Sequence, residues 1–196
     1  NKVNKVLGYG ISGNIDSLKE IGTENLTRYY HNFNSISFRE DSFQTYIKEH
    51  IGVESEVVID PTMLLEKEKW ECITNKVKEK GDYILTYFLQ EVKNISKLNE
   101  DLKHFAKKEK CKLINIFDVA HSPTEFLGWI KNSKYIFTTS FHATVFSIIF
   151  NKDVYALRTH NGHDARYINL LSKLDISDRT IEVDDIVNME ISPIDY

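Results

Sequence analysis

Cysteine, proline and glycine are scarce in this chain: 196 residues hold 2, 3 and 8 of them. Cys72 and Cys111 stand far apart with no CxxC spacing, which argues against a disulfide-stapled scaffold and for a reduced, cytosolic setting. So little proline and glycine sets aside the collagen-like and low-complexity classes. An excess of positive charge is missing too. The 25 Lys and Arg face 29 Asp and Glu, a formal net charge of −4, the wrong balance for a nucleic-acid partner. Long apolar runs are absent as well: the richest, at 143–150, is far shorter than the ~20 residues that cross a bilayer. No membrane span and no secretory leader are expected. What remains is 41% hydrophobic and 12% aromatic, ample for a sizeable core.

Short apolar runs rich in β-branched and aromatic residues alternate with segments of helical spacing, the rhythm of parallel βαβ units. Strands are expected at 3–9, 35–38, 57–59, 83–88, 112–116, 135–138 and 154–156, and helices at 16–31, 42–49, 92–108, 123–131, 141–150 and 165–174. The fold class is α/β. A polar stretch at 66–80 marks a domain boundary or a long surface connection, with Trp70 packing on one side of it. Two domains follow, 1–70 and 71–196. The first residue is Asn1, almost inside a strand, which reads as a processed chain or a fragment whose missing part would be N-terminal.

The sharpest chemistry-bearing segment is KYIFTTSFHATVFSIIFNK, in which a strand runs through Ser140, a good N-cap, straight into an apolar helix. The carboxyl end of a parallel strand feeding a helix N-terminus favours an anion, and His142 in that first turn could hold a phosphate or pass a proton. A histidine that merely bonds a carbonyl is the plainer alternative. In NSISFRE, Arg39 ends a strand and offers a planar fork for carboxylate or phosphate. Glu40 beside it is a base, an orienting partner or a capping charge. In VVIDPT, Asp60 before Pro61 is a turn residue or an acid. Gly8, Gly10 and Gly13 have GxGxxG spacing, but no ribose-binding acid follows at the right offset, so a glycine-rich turn is the better reading. In RTHNGHDAR, His160, His163 and Asp164 lack a third metal-ligand anchor. Asp164 and Arg166 read instead as an anion- or sugar-facing loop or a helix cap and its ion pair. The remaining histidines, His121 among them, read as surface or core residues.

The blocks FREDSF, VIDPTMLL with Trp70, DYILTYFL, SPTEFLGWIKNSKYIFTTSFHATVFSIIFNK and ARYINLLSKLDISDR, in this order, resemble the polysaccharide pyruvyl transferase family. The resemblance implies a fold similar to the two-domain GT-B glycosyltransferases, with the N-terminal domain incomplete here. It also implies transfer of pyruvate from phosphoenolpyruvate to sugar hydroxyls of a surface glycan as a cyclic ketal, with phosphoenolpyruvate as donor substrate and no metal or other cofactor. The family's strand-to-helix histidine matches His142, its preceding bulky apolar residue Phe141, and its early arginine Arg39; Ala143 replaces a common glycine.

The donor phosphate is then expected at the helix start formed by Ser140, Phe141, Ala143 and Thr144, and its carboxylate near Arg39. Glu40 or Asp60 would orient Arg39 or an acceptor hydroxyl, and Arg166 would contribute to the anion pocket. The resemblance implies a saccharide or lipid-linked glycan as acceptor; a cytoplasmic location is expected from the sequence's lack of a leader and of a membrane span, at the inner membrane face if the acceptor is lipid-linked. A glycosyltransferase using a nucleotide sugar and a non-catalytic saccharide-binding domain are the competing readings.

Overall fold

The computed structural model describes residues 5–13 and 15–195. The chain divides into two compact units, Asn1–Leu65 and Glu66–Tyr196.

In the first unit, β1 (Leu7–Ile11), β2 (Ser35–Phe38) and β3 (Glu56–Val57) form a parallel sheet in that order, with α1 (Ile15–Ile21), α2 (Thr23–Tyr30) and α3 (Asp41–Ile51) between them. Side chains alternate across a strand, so Ile36 and Phe38 turn together toward Leu18, Leu26, Phe43 and Ile47 of the helices. The single helix expected at 16–31 is two, because Gly22 between them has φ 79°. The first strand lies later than expected, at 7–11 rather than 3–9; residues 3 and 4 are outside the described residues. The strand expected at 57–59 is the two residues of β3.

The second unit runs α4 (Lys67–Glu71), β4 (Tyr83–Tyr87), α5 (Ile95–Lys108), β5 (Lys112–Asn115), α6 (Pro123–Asn132), β6 (Tyr135–Thr138), α7 (Phe141–Ile149), β7 (Asp153–Leu157), α8 (Ala165–Lys173) and β8 (Thr180–Ile181). All five strands pair in parallel, in the order β5-β4-β6-β7-β8. The α/β class and parallel sheets flanked by helices, expected from the sequence, are what the structure has. Leu98, Leu102, Phe105 and Ala106 make a helical stripe on α5 that packs on Ile84, Phe137 and Tyr155. On the opposite face, Leu127 and Ile130 of α6 and Ala143 and Phe146 of α7 pack on Leu85, Ile136 and Val154. With both faces covered, β6 is buried at all four positions, as an interior parallel strand should be. The helix expected from 92 begins only at Ile95, after Asn94 in the left-handed region at φ 56°. Strand β8 was not expected at all.

The polar stretch after Leu65 belongs to the second unit. Trp70 sets its ring edge-on against Phe146, with centroids 5.0 Å apart, and the Asn75 amide donates to the Thr124 carbonyl of α6 at 3.0 Å. Gly128 makes this approach possible: a Cβ there would lie 2.3 Å from the Asn75 carbonyl oxygen.

The strand order positions the site. From β4 the chain goes to β5 on one side, then crosses to β6 on the other, so the direction of winding reverses between β4 and β6. In open α/β sheets ligands bind at the carboxyl ends of the strands at that switch point. Among the described residues, no helix is long and apolar enough to cross a membrane.

Candidate functional site

A cavity of about 460 Å³ opens at this switch point, well within the range of small-molecule sites. Tyr87 and Leu89 enter it from the end of β4, Ile116 and Phe117 from the turn after β5, His121, Ser122 and Pro123 from the start of α6, and Ser140 and His142 from the start of α7. Two helix N-termini therefore converge on one space, each contributing a histidine and a capping serine, and the positive ends of their dipoles point the same way.

Hydroxyls hold the β6–α7 junction in place. The Thr138 hydroxyl donates to the Tyr87 carbonyl at 2.7 Å and accepts from the Ser140 amide at 2.9 Å. The Ser140 hydroxyl accepts from the Ala143 amide at 3.3 Å, and Thr144 donates its own hydroxyl to the Ser140 carbonyl at 3.0 Å. Such an N-cap stabilises a helix by about 1 kcal/mol. Beyond it, α7 is apolar nearly all round, and His142 is the exposed residue of its first turn. At α6 the Ser122 hydroxyl accepts from the Glu125 amide and the Glu125 carboxylate accepts from the His121 amide at 2.8 Å, a capping box whose back-bond reaches the amide just before the N-cap.

The aromatic side of the cavity is anchored in the core. Phe126 of α6 meets Phe146, Tyr87 meets Phe126 edge-on at 5.4 Å, and Phe117 leans on Tyr87 at 5.1 Å. Burial raises the Tyr87 phenol above its ordinary pKa, so it is neutral at physiological pH.

In the first unit, Arg39 follows β2, and its guanidinium is ion-paired to Asp60. Asp60 also caps a short 3₁₀ turn, Pro61–Leu64, accepting from the Thr62 amide at 2.9 Å and hydroxyl at 2.6 Å. The Arg39 stem lies against Gly10, which has φ 59° and whose absent Cβ would come within 3.3 Å of the Arg39 Cγ. A side chain there would be strained and crowded at once. Glu40 is the N-cap residue of α3, yet its carboxylate accepts from the Ser12 hydroxyl at 2.6 Å rather than from the helix. Its second oxygen is buried with no hydrogen-bond partner among the described residues.

A family model, polysaccharide pyruvyl transferase, matches residues 1–161. The chain belongs to that family. No curated protein matches it. As a pyruvyl transferase family member it brings family sequence to both units: Arg39, Glu40, Asp60, Ser140 and His142 all lie in the matched part, as does the whole cavity wall. The match stops at Asn161, before Arg166 and before the block ARYINLLSKLDISDR.

The structure sorts the expected site residues. Ser140 and His142 line the cavity. Phe141 turns away into the seam between α7 and α8, beside Tyr167. Ala143 and Thr144 are buried, and the amides of both are engaged with Ser140. Arg166 is half-buried near the start of α8. Asp164 makes no cap bond to that helix; it accepts from the Thr159 and His160 amides and so closes the loop, while the His160 ring meets Glu182 at 2.8 Å. The glycines of the GxGxxG spacing serve packing: Gly10 receives Arg39, and Gly13 lies under the Phe43 ring. Sequence reading missed Tyr87, Phe117, His121 and Phe126 as cavity residues. The one signal for His121 was its place just before the Ser122-to-Glu125 capping box.

Proposed function

We propose that this pyruvyl transferase takes phosphoenolpyruvate as donor and transfers its pyruvate to two hydroxyls of a saccharide, forming a cyclic ketal and releasing phosphate. The observation that carries the reading is the cavity at the β4/β6 switch point, with His142 in its wall at the start of α7. Two convergent helix dipoles favour a multiply charged anion there.

His142 is the proposed general acid or phosphate holder, since a histidine titrates near neutrality. The steps balance simply. A proton delivered to the donor's methylene carbon makes it a methyl group and leaves an oxocarbenium-like centre at C2. One acceptor hydroxyl adds there, its proton going back to the acid; the second displaces phosphate, which leaves with that hydroxyl's proton. Ser140 fixes the α7 start that carries His142. In the first unit, Arg39 is the proposed anion-binding residue, Asp60 its positioning partner, and Glu40 the proposed carboxylate base. Arg166 is kept as a proposed contributor to anion binding.

The test is thermal stabilisation by millimolar phosphoenolpyruvate. A ligand at a hundred times its dissociation constant adds ~2.7 kcal/mol, a shift of several degrees. We expect that shift in the parent and its loss in His142→Ala, with far-UV dichroism and the unliganded melting temperature of the variant measured alongside to show that it folds. Stabilisation by a nucleotide sugar and none by phosphoenolpyruvate would overturn the reading in favour of a glycosyltransferase.

A further inference from the structure

The cavity holds more than an anion site. Its walls are of two kinds: polar groups at the helix starts, and on the other side the aromatic series Phe126, Tyr87 and Phe117. The exposed member of that series is Phe117. Phe126 and Tyr87 are half-buried, whereas Phe117 is 54% exposed. Yet Phe117 is held from both ends, its ring against Tyr87 and its amide donating to the Asn115 side chain at 3.1 Å. An aromatic face fixed at the mouth of a cavity, and backed by other rings down to the core, is a preorganised stacking surface.

We infer that this wall is the subsite for the acceptor sugar ring, with Phe117 its stacking platform and His121 and Ser122 facing the ring's hydroxyl edge. The inference rests on the function proposed above and adds to it where the saccharide sits. Three observations favour a pyranose. Sugars carry an apolar C–H face and a hydroxyl rim, and this wall pairs an aromatic face with short hydroxyl and imidazole groups. Among the described residues, no Lys or Arg lines the cavity, so away from the two helix starts its wall suits an uncharged ring. The volume also exceeds what phosphoenolpyruvate alone would fill, leaving room for a second, uncharged ligand beside it. Phe117 is thereby a specificity-determining residue: rings with an uninterrupted C–H face stack on it, and an axial hydroxyl on that face interferes.

The experiment uses the whole chain and two separate readouts. Saturation-transfer NMR with the methyl glycosides of glucose, galactose, mannose and N-acetylmannosamine reads sugar binding; thermal stabilisation by phosphoenolpyruvate reads the donor. We expect at least one glycoside to receive saturation through the C–H protons of one face. Phe117→Ala should weaken it by about five- to tenfold, the scale of one aromatic contact, and Phe117→Tyr should restore it. Donor stabilisation should be the same in all three proteins. If no glycoside binds while phosphoenolpyruvate still stabilises the parent, or if Phe117→Ala binds glycoside as the parent does, the subsite is wrong and the function stands. If glycosides bind through Phe117 but phosphoenolpyruvate does nothing, the subsite stands and the donor assignment falls.

Discussion

Because the Asp60 side chain is 2% exposed and that of Arg39 is 15% exposed, neither residue can be judged by itself. Removing one partner of a buried ion pair strands the other charge, at a cost of about 3–5 kcal/mol. Arg39→Met should therefore destabilise the first unit by about 3 kcal/mol, the lower end of that range because the pair is not fully enclosed. Adding Asp60→Asn should recover about 1–2 kcal/mol, since the stranded charge goes while the Thr62 contacts can persist. The readout is available within the chain: both tryptophans, Trp70 and Trp129, lie in the second unit, so far-UV dichroism follows both units in urea while tryptophan fluorescence follows one. Additive effects of the two substitutions would show that the ion pair has no weight of its own. An activity lost in Arg39 variants must be weighed against this instability. The sequence left Asp60 and Glu40 open as partners for Arg39. Each flanks a strand end, and only the packed backbone decides which carboxylate the guanidinium reaches.

At the scale of elements, α6 and α7 were legible almost to the residue because their starts are written locally: Ser-Pro-x-Glu for α6, and a serine after an apolar strand for α7. Strand β8 was not, since two residues without an apolar run have no period to detect; its pairing with β7 is set by tertiary contact. The cavity's aromatic wall was hidden for the same kind of reason. Phe117 sits in a three-residue 3₁₀ turn, Ile116–Asp118, and meets Tyr87, thirty positions earlier in the chain. Nor does composition reveal that α6 has a groove for the preceding segment. Gly128→Ala would push a methyl group into a backbone carbonyl, where nothing flexible can yield. We expect a loss of about 3 kcal/mol and faster hydrogen exchange at the Asn75 amide. An unchanged urea midpoint by tryptophan fluorescence would mean that the segment does not dock there.

For the molecule as a whole, stability should be most sensitive to alkali. Burial raises the phenols of Tyr83, Tyr135, Tyr155 and Tyr167, those of Tyr135 and Tyr155 to about 12, whereas an unfolded chain releases such protons near pH 10. Between about pH 10 and pH 12 the folded protein thus holds more protons than the unfolded one, and stability falls as pH rises. Below pH 10 that contribution is fully present. Urea midpoints by tryptophan fluorescence from about pH 9 to about pH 12 should drop in step with tyrosinate absorbance. Tyr155→Phe should reduce the slope; it costs about 1 kcal/mol below pH 10, because Arg179 loses the phenol oxygen that it bonds at 2.9 Å, and that cost shrinks as pH rises toward 12. A midpoint indifferent to pH across this range would contradict the burial of these four rings.

The seating of Trp70 on Phe146 and of Asn75 on Gly128 also decides where the polypeptide can be divided. A shortened gene beginning at Asp82, just ahead of β4, would discard both contacts and turn the backs of α6 and α7 into a bare apolar groove prone to aggregation. One beginning at Glu66 keeps them. Leu64 and Leu65, each about half exposed, mark the cut that disturbs the second unit least, and isotope labelling of the His142 cavity in a smaller protein would start there.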